Sequence, residues 1–407
     1  MSGEQMTMGQ RIARARRRKN WDQETFAAAI NRSPSWVSKV ENGRLPLDRQ
    51  SVIARVAEAL GVEVGELTGQ PYRHETAELD SGHASVPGLR LALQQATMPG
   101  GAALIGPREP APLDDLSERL KSAEALRQDA RFTALGDVLP GIITDLVLHT
   151  SDRTSSRRDE AEGLMLRACH MARVTANLLG HHDLGWTAVQ RELLAAQHVG
   201  SPELVAAAAW DLCGVWLHEA SLEPARDVAL AAIDQLETHL TDDTPDLLAL
   251  WGALHLRAAV AHSRLWRKTD AETHLDEAVQ AARRLPAYGN VFQTQFNLVN
   301  TAIHAVEISL ELGRPRDVTN RSELVAIGDI DSRERQAHYW TCTAAGLAMN
   351  NKEDKAVDAL LQADRTAPQH VRNRPLVRNL VRDLLTSPSH TRHRDVRALA
   401  TKMSLDT

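Results

Sequence analysis

A short polar stretch contains the side chains best suited to contact another molecule. Ser35, Trp36 and Lys39 fall on one side of a short predicted helix, away from the apolar Val37 and Val40. Lysine can donate to guanine O6 or N7, serine can pair with either base type, and an indole ring can cover a thymine methyl group. The combination predicts contact with the edges of base pairs. The alternatives are that Trp36 packs on the first helix and that Lys39 is only solvated.

A second row of polar side chains lies in a helix predicted over residues 291–312. Gln293, Asn297, Asn300 and His304 recur at helical spacing and share one face. Carboxamides in such a row can hold a peptide backbone through paired donors and acceptors. The pattern predicts a groove for an extended peptide or a small polar effector. The alternative is that these side chains face solvent or cap helices locally.

The same helix and its predicted neighbours supply further residues to this groove, as polar contacts and apolar walls. Phe296 is on the helix 291–312 itself, and the neighbouring helices contribute Trp251, His255, His262, Arg335 and His338. Helices stacked in pairs form a superhelix whose concave wall is lined by the first helix of each pair. We therefore expect these side chains to line one concave surface.

The sequence offers no pattern typical of catalysis or of a metal centre. No Ser/His/Asp, paired-carboxylate or HExxH spacing rises above chance, and His181-His182-Asp183 falls in a predicted turn. The three cysteines lie far apart, so we expect reduced thiols. We predict no enzymatic activity, no catalytic residue, no metal and no cofactor.

The elements that must position the polar residues are helices. Hydrophobic residues make up 43% of the 407-residue chain and aromatic residues only 4%, while alanine and leucine are abundant, which favours helix over sheet. We predict an all-α fold in two or three domains. The chain has neither a run of 18 apolar residues nor a secretory leader. We therefore expect a cytoplasmic protein without a membrane span.

Residues 1–70 contain five predicted helices. Ser33 stands where the third helix needs an N-cap, and Pro34 follows at the first helical position, where its missing N–H costs nothing. Asn31 tolerates the left-handed backbone of a tight turn, and an Asn-Gly pair ends the third helix. Two short helices joined by a tight turn inside a bundle are typical of a helix-turn-helix.

A resemblance to a known family is carried by residues 8–67, which run MGQRIARARRRKNWDQETFAAAINRSPSWVSKVENGRLPLDRQSVIARVAEALGVEVGEL. The GxxI start, the DQETFA second helix, the VENG end of the third helix and the ALGVEVGEL finish resemble the Cro/CI-type helix-turn-helix domain of bacterial regulators. Two positions depart from the family pattern. Asn31 replaces the usual glycine, and Arg32 replaces a usual apolar residue.

The resemblance implies binding to double-stranded DNA. Transferred position by position, it implies base contacts from Pro34, Ser35, Trp36 and Lys39. It implies contacts that fix the register on the phosphates from Gln23, Ser38, Asn42 and Arg44. We also predict Arg32 and the N-cap Ser33 as DNA-binding residues, Arg32 through an added phosphate contact or, alternatively, with a less well packed turn as the only effect of its side chain. Single domains of this type make few contacts, so the resemblance also implies a homodimer on a near-palindromic operator.

Cations are concentrated near the N-terminus of a chain with a net charge of −6. A basic head on an acidic protein predicts phosphate neutralisation, although a solvated helix face is the alternative. The cluster consists of Arg11, Arg14, Arg16, Arg17, Arg18 and Lys19, opposed in the first twenty residues only by Glu4.

The rest of the chain divides by composition. Residues 71–112 are rich in proline and glycine and are predicted to be a linker, residues 113–387 are predicted helical pairs, and residues 388–407 a basic tail. Small residues recur where paired helices must approach closely: Ala188, Ala225, Ala271, Val318 and Ala356. This region resembles the tetratricopeptide-like sensor half of actinobacterial Cro/CI-type regulators, which form an α-superhelix.

Two functions are compatible with this organisation. The first is a transcriptional regulator whose repeats mediate dimerisation and sense a peptide or small-molecule effector. The second is a scaffold whose repeats bind a partner protein, with the DNA-binding head subordinate. Binding to genomic DNA fragments distinguishes the two.

Overall fold

The computed structural model describes residues 6–72, 81–241, 243–285, 290–388 and 391–405. Within these ranges the chain is all-helical and contains no strand, as the sequence predicts. The first five helices are α1 (Met8–Arg18), α2 (Gln23–Ala29), α3 (Pro34–Glu41), α4 (Gln50–Leu60) and α5 (Val64–Thr68).

The five N-terminal helices are specified by local capping and turn residues and are stabilised by a shared hydrophobic core. The Ser33 hydroxyl accepts the Trp36 backbone N–H at 3.1 Å at the start of α3. Asn31 has a φ of 54°, the left-handed conformation that the turn between α2 and α3 requires. Phe26 and Val37, from the two sides of that turn, are fully buried in one cluster.

A buried ion pair joins α1 to α3. The Arg16 guanidinium donates to both carboxylate oxygens of Glu41, at 2.6 and 2.9 Å, and Gln23 donates to the same carboxylate at 2.8 Å. The prediction that the whole basic cluster contacts phosphate is therefore wrong for Arg16, because its charge is used inside the domain. Arg18 is also paired, with Glu66.

Three helices follow where the sequence predicted a linker: α6 (Ser81–Ala84), α7 (Val86–Thr97) and α8 (Gly101–Ile105). Residues 73–80 lie outside the described residues. Leu89 and Leu93 of α7 are buried in the largest hydrophobic cluster, against α10 and α12 below. The described part of 71–112 is therefore packed structure, because α7 buries its apolar face against the neighbouring helices.

The body of the protein is a succession of packed helices. They are α9 (Leu113–Gln128), α10 (Phe132–Ser151), α11 (Arg158–Leu179), α12 (His182–Val199), α13 (Pro202–Glu219), α14 (Leu222–Glu237), α15 (Pro245–Arg264), α16 (Lys268–Arg284), α17 (Leu298–Glu311), α18 (Pro315–Ser322), α19 (Arg333–Met349) and α20 (Glu353–Thr366). From α11 onward they pack as antiparallel pairs, each pair against the next. The small residues Ala188, Ala225, Ala271, Val318 and Ala356 are all at most 1% exposed.

One described helix, α10, is long and apolar enough to cross a membrane, judged by length and composition alone. The core helix of a globular domain passes the same test. Leu135, Leu139, Ile142 and Leu146 of α10 are fully buried against neighbouring helices. The apolar side of α10 is therefore occupied by the protein's own core.

The C-terminal segment is α21 (Pro368–Arg372), α22 (Pro375–Thr386) and α23 (His393–Lys402). Val396, Leu399 and Met403 are buried in the main cluster, so the prediction of a basic tail is wrong for the described residues 391–405. The basic side chains are partly neutralised within the chain, as Lys402 contacts Asp364 at 3.2 Å.

The N-terminal domain is docked on the helical pairs. The Ser51 backbone N–H at the start of α4 donates to the Glu311 carboxylate at 3.2 Å. The Arg49 guanidinium lies 5.0 Å from the ring centroid of Trp266, in the α15–α16 turn. Leu376 at the start of α22 packs on the N-terminal core. Contacts from the α15–α16 turn, α17 and α22 thus hold the domain in place.

The ion pair between α1 and α3 yields a stability prediction. Arg16→Met leaves the Glu41 carboxylate buried with Gln23 as its remaining side-chain donor. The N-terminal domain should lose about 2 kcal/mol of stability, which is less than the loss expected when an ion pair in the deep interior is broken. Hydrogen exchange of the α2 and α3 amides should accelerate by roughly 30-fold. The control Arg17→Met removes an exposed charge on the same helix. Equal protection of the α2 and α3 amides from hydrogen exchange in both variants would contradict a structural role for Arg16.

Candidate nucleic-acid interface and internal cavity

The predicted DNA-contacting residues are placed by α2, the turn and α3. Most of them are open to solvent in the presence of the docked helical pairs. Exposed residues are Ser33, Pro34, Ser35, Lys39, Asn42 and Arg44, and half-buried residues are Gln23, Arg32, Trp36 and Ser38. Ser35 and Lys39 are therefore accessible to solvent on the surface of α3.

Trp36 does not face outward as the sequence predicted. The Arg32 guanidinium lies 5.6 Å from its ring centroid, and the ring packs on the N-terminal core. Trp36 also lines a small void together with Arg55 of α4 and Trp266 of the α15–α16 turn. Trp36 thus lies at the edge of the hydrophobic core, and its ring packs against α4 rather than against the first helix.

Two of the predicted phosphate contacts have partners inside the domain. Gln23 donates its amide to Glu41, which leaves its carbonyl oxygen available. The Asn42 amide donates to the Ser38 backbone oxygen at 2.7 Å and so closes the end of α3. These two residues brace the ends of the helix-turn-helix, whereas Lys39 has an exposed side chain.

A cavity of about 1060 Å³ lies between the N-terminal domain and the helical pairs. One wall is the loop that follows α3, residues 43–48, together with Gln50 at the start of α4. The opposite wall comes from α11, α13, α15, α17, α19 and the start of α22. This volume is typical of sites for small ligands. Residues of both parts of the chain therefore line the cavity.

Five of the residues predicted for a ligand groove line this cavity. They are Gln293, Asn300, His304, Arg335 and His338. The Arg335 Nε donates to the Asn300 carbonyl oxygen at 2.8 Å, and its Nη2 lies 3.5 Å from His304. Asn300 and Gln293 are nearly fully buried. The structure therefore brings these residues together as part of a hydrogen-bonded wall.

The predicted helix over 291–312 is wrong at its start. A 3₁₀ turn (Val291–Gln293) is followed by irregular backbone, and α17 begins at Leu298. The Asn297 side chain caps α17 by accepting the Asn300 N–H at 2.9 Å. Phe296 is 3% exposed and packs so closely on Gly252 that an added Cβ there would lie 2.1 Å from its ring. Asn297 and Phe296 are thus local structure and not cavity wall.

Trp251, His255 and His262 also lie away from the cavity. They form a separate aromatic cluster in which the His255 and His274 Nδ1 atoms are 3.0 Å apart and the His262 ring stacks on His274. Trp251 stands 4.0 Å from His255, centroid to centroid. Burial lowers the pKa of His255 to about 3 and that of His262 to about 4. Their prediction as groove residues is wrong because they face the partner helix α16.

Glu307 is the centre of the polar network in the cavity. Its carboxylate accepts from His338 Nε2 at 3.0 Å and from Arg264 at 3.3 Å. Arg374 donates to His338 Nδ1 at 2.6 Å, so the proton of this imidazole must be on Nε2. Burial, despite Glu307, lowers the pKa of His338 to about 3. His338 is therefore a neutral bridge between a carboxylate and a guanidinium.

Several cavity residues were missed from the sequence. They are Arg127, His170, Arg173, Trp210, Arg257, Arg264, His370 and Arg374. Apart from Trp210, each is an arginine or histidine that interrupts the apolar side of a helix or, for Arg374, directly precedes a helix. That interruption was the available signal, because a buried arginine in such a position needs a partner or a ligand.

The comparisons with known proteins concern the N-terminal domain. A family model described as a helix-turn-helix domain matches residues 7–68. Neither a curated protein nor a solved structure matches the chain. The match coincides with α1–α5, so the N-terminal domain is a helix-turn-helix domain. Such a domain indicates a DNA-binding regulator.

The neutral state of His338 gives a pH prediction. Its folded pKa lies below the ordinary value near 6.5, so the unfolded chain binds a proton that the folded chain does not, and stability falls as pH drops below 6.5. A glutamine at this position can keep both hydrogen bonds without titrating. When the pH is lowered from 7 to 5, the free energy of unfolding should fall in both proteins. The fall should be about 2 kcal/mol smaller in His338→Gln than in the unmodified protein.

Urea unfolding at the two pH values measures this difference. The control His198→Gln removes an exposed imidazole that lies outside the cavity. If His338→Gln and the unmodified protein lost equal stability on acidification, His338 would already be protonated in the folded state.

Proposed function

We propose that this protein is a cytoplasmic, sequence-specific DNA-binding transcriptional regulator of the Cro/CI type. Its tetratricopeptide-like helical pairs bind a peptide or small-molecule effector and mediate homodimerisation. The observation that carries the proposal is the shared cavity. The loop directly after the predicted recognition helix α3 forms one wall of a cavity whose other wall is the interior of the helical pairs.

The DNA-binding part of the proposal is supported by the surface of α3. Ser35 and Lys39 are exposed, and Arg44 is exposed just after the helix. A lysine in this position can read guanine in the major groove, while arginine and serine donors on the flanks hold phosphates. Arg14 and Arg17 of α1 are also exposed and add positive charge to the domain.

The sensing part is supported by the position of Arg44 and its neighbours. Arg44 lines the cavity and also lies where the family resemblance implies a phosphate contact. A ligand that prefers one position of the loop 43–48 must bias the position of α3 through the backbone. The effect on DNA affinity is limited to the ligand's differential affinity for the two positions.

Two arguments support dimerisation: the small number of DNA contacts that one domain makes, and an exposed apolar surface. One helix-turn-helix domain makes few contacts, so two linked domains on a near-palindrome raise affinity through effective concentration. Leu91 of α7 and Met98 directly after it are more than half exposed, and Leu104 of the adjacent α8 is 61% exposed. A second copy could cover this patch.

The test is binding to an operator selected from genomic fragments. Lys39→Ala should weaken specific binding by about 1–3 kcal/mol while the fold is retained, because Lys39 is exposed. The control Lys268→Ala removes an exposed lysine on α16. Electrophoretic shift gives the affinities, and sedimentation of the complex gives the stoichiometry, with two chains per operator expected.

Equal affinity of Lys39→Ala and Lys268→Ala would exclude α3 as the recognition helix. No selection of any DNA by the unmodified protein would instead favour a scaffold for a partner protein.

A further inference from the structure

The cavity wall on the side of the helical pairs is rich in arginine. Six guanidinium groups from several elements line it: Arg127, Arg173, Arg257, Arg264, Arg335 and Arg374. Three of the six have carboxylate partners. Arg127 contacts Glu334 at 2.6 Å, Arg173 contacts Asp211 at 2.5 Å, and Arg264 contacts both Glu307 and Glu311.

The other three arginines have no carboxylate within 4.0 Å among the described residues. Arg257 lies over the indole of Trp210, with its Cζ 4.1 Å from the ring centroid. Arg335 donates to the neutral Asn300, and Arg374 donates to the neutral His338. Four carboxylates are thus paired with three of the guanidinium groups, and the other three have no anionic partner among the described residues.

Like charges converge at one point of the wall. A Cβ built on Gly214 of α13 would lie 3.2 Å from Arg173 Nη1 and 3.2 Å from Arg257 Nη2. Both guanidinium groups therefore pack over the same glycine, and only one of them has an anionic partner. Burial, and then Arg173, lower the pKa of Arg257 to about 10. An anion between the two groups would relieve this repulsion.

Buried polar groups without partners lie in the same wall. His370 is 4% exposed, and neither of its ring nitrogens makes a hydrogen bond within the described chain. The Asn177 amide, 5% exposed, is also without a partner there. Burial, and then Arg374, lower the pKa of His370, so its imidazole is neutral and can still donate one hydrogen bond.

The remaining acidic groups that line the cavity lie apart from the three unpaired arginines. Asp48 belongs to the N-terminal loop and contacts its neighbour Arg49 at 3.3 Å. Asp383 lies close to Asp48, and burial together with Asp48 raises the pKa of Asp383 to about 7. Glu353 accepts the Ser387 hydroxyl at 2.6 Å. These carboxylates make none of the ion pairs of the six arginines.

We propose that the cavity binds a small organic acid with at least two negative charges, carboxylate or phosphate, through Arg257, Arg335 and Arg374. This inference rests on the proposed effector site and names the chemistry of its ligand. Planar guanidinium groups match both carboxylate and phosphate oxygens in paired hydrogen bonds. Trp210 and the apolar residues Leu217 and Val260 provide contacts for the uncharged part of the molecule.

Isothermal titration calorimetry of the full chain tests the proposal. The probes are citrate and 2-oxoglutarate for carboxylates, and pyrophosphate and glucose 6-phosphate for phosphates, all at constant ionic strength. Glucose and putrescine are the neutral and cationic controls. We expect saturable binding of at least one anion, one per chain, and none of the controls. The group of anions that binds more tightly identifies the headgroup. Binding of none of the four anions would overturn the proposal.

Variants then locate the site. Arg257→Gln and Arg374→Gln should each weaken anion binding by about tenfold or more. Arg316→Gln, an exposed residue of α18, is the matched control and should bind like the unmodified protein. Unchanged affinity in the first two variants, or an equal loss in the control, would place the anion elsewhere and refute the assignment.

The melting temperature without anion separates a ligand site from a structural role. Arg257→Gln should melt at the same temperature as the unmodified protein or higher, because it removes an uncompensated buried charge. Arg264→Gln, which breaks two ion pairs, should melt lower. A fall in Arg257→Gln as large as that in Arg264→Gln would show that Arg257 only supports the fold.

Operator binding is measured separately and without anion. If the operator binds normally but no anion binds, only the ligand inference fails. If anions bind but no DNA is selected, the regulator proposal fails and the anion site remains.

Discussion

Glu311 joins the two parts of the protein. Its carboxylate is 4% exposed and accepts the Ser51 backbone N–H from the N-terminal domain and the Arg264 guanidinium from α15. A buried carboxylate is costly unless its oxygens are satisfied. Here neither part of the chain satisfies it alone. The docked arrangement, and with it the cavity, depends on this shared requirement.

The helical pairs supply the rigidity that this arrangement needs. Ala188, Ala225 and Ala271 are fully buried where paired helices cross, so the backbones approach closely. Closely packed interiors transmit small displacements instead of absorbing them. A ligand that separates two helices at the cavity wall therefore acts on the position of Glu311 and on the start of α4.

The cavity wall contains charged groups that have ion-pair partners and others that have none. Glu307 is fully engaged by His338 and Arg264, whereas Arg257 has only an aromatic face. Selection for stability alone favours pairing or removal of such a charge. Residues that violate local rules without compensation within the fold are expected at functional sites. Arg257 fits this description, and the paired Arg127 does not.

Much of the N-terminal domain follows from the sequence alone. The Ser33 cap, Pro34, the left-handed Asn31 and the spacing of Val37 and Val40 act within a few residues, so local chemistry determines α2, the turn and α3. The small residues of the helical pairs were also visible as a repeat. The exposure of Lys39 follows from the same spacing, because the inward face of α3 is defined by the apolar residues.

The cavity was decided by tertiary structure. Phe296 does not line the predicted groove, because its ring packs on Gly252, 44 residues earlier in the chain. Trp36 packs toward α4 instead of facing solvent. Arg127 reaches the backbone oxygen of Gln293 across 166 residues, a contact without a signal in either local sequence. Helical periodicity tells which side of a helix is apolar, but a buried polar group is placed by the partner it finds. That partner is chosen by packing between distant segments, and here packing also determined which arginines remained unpaired.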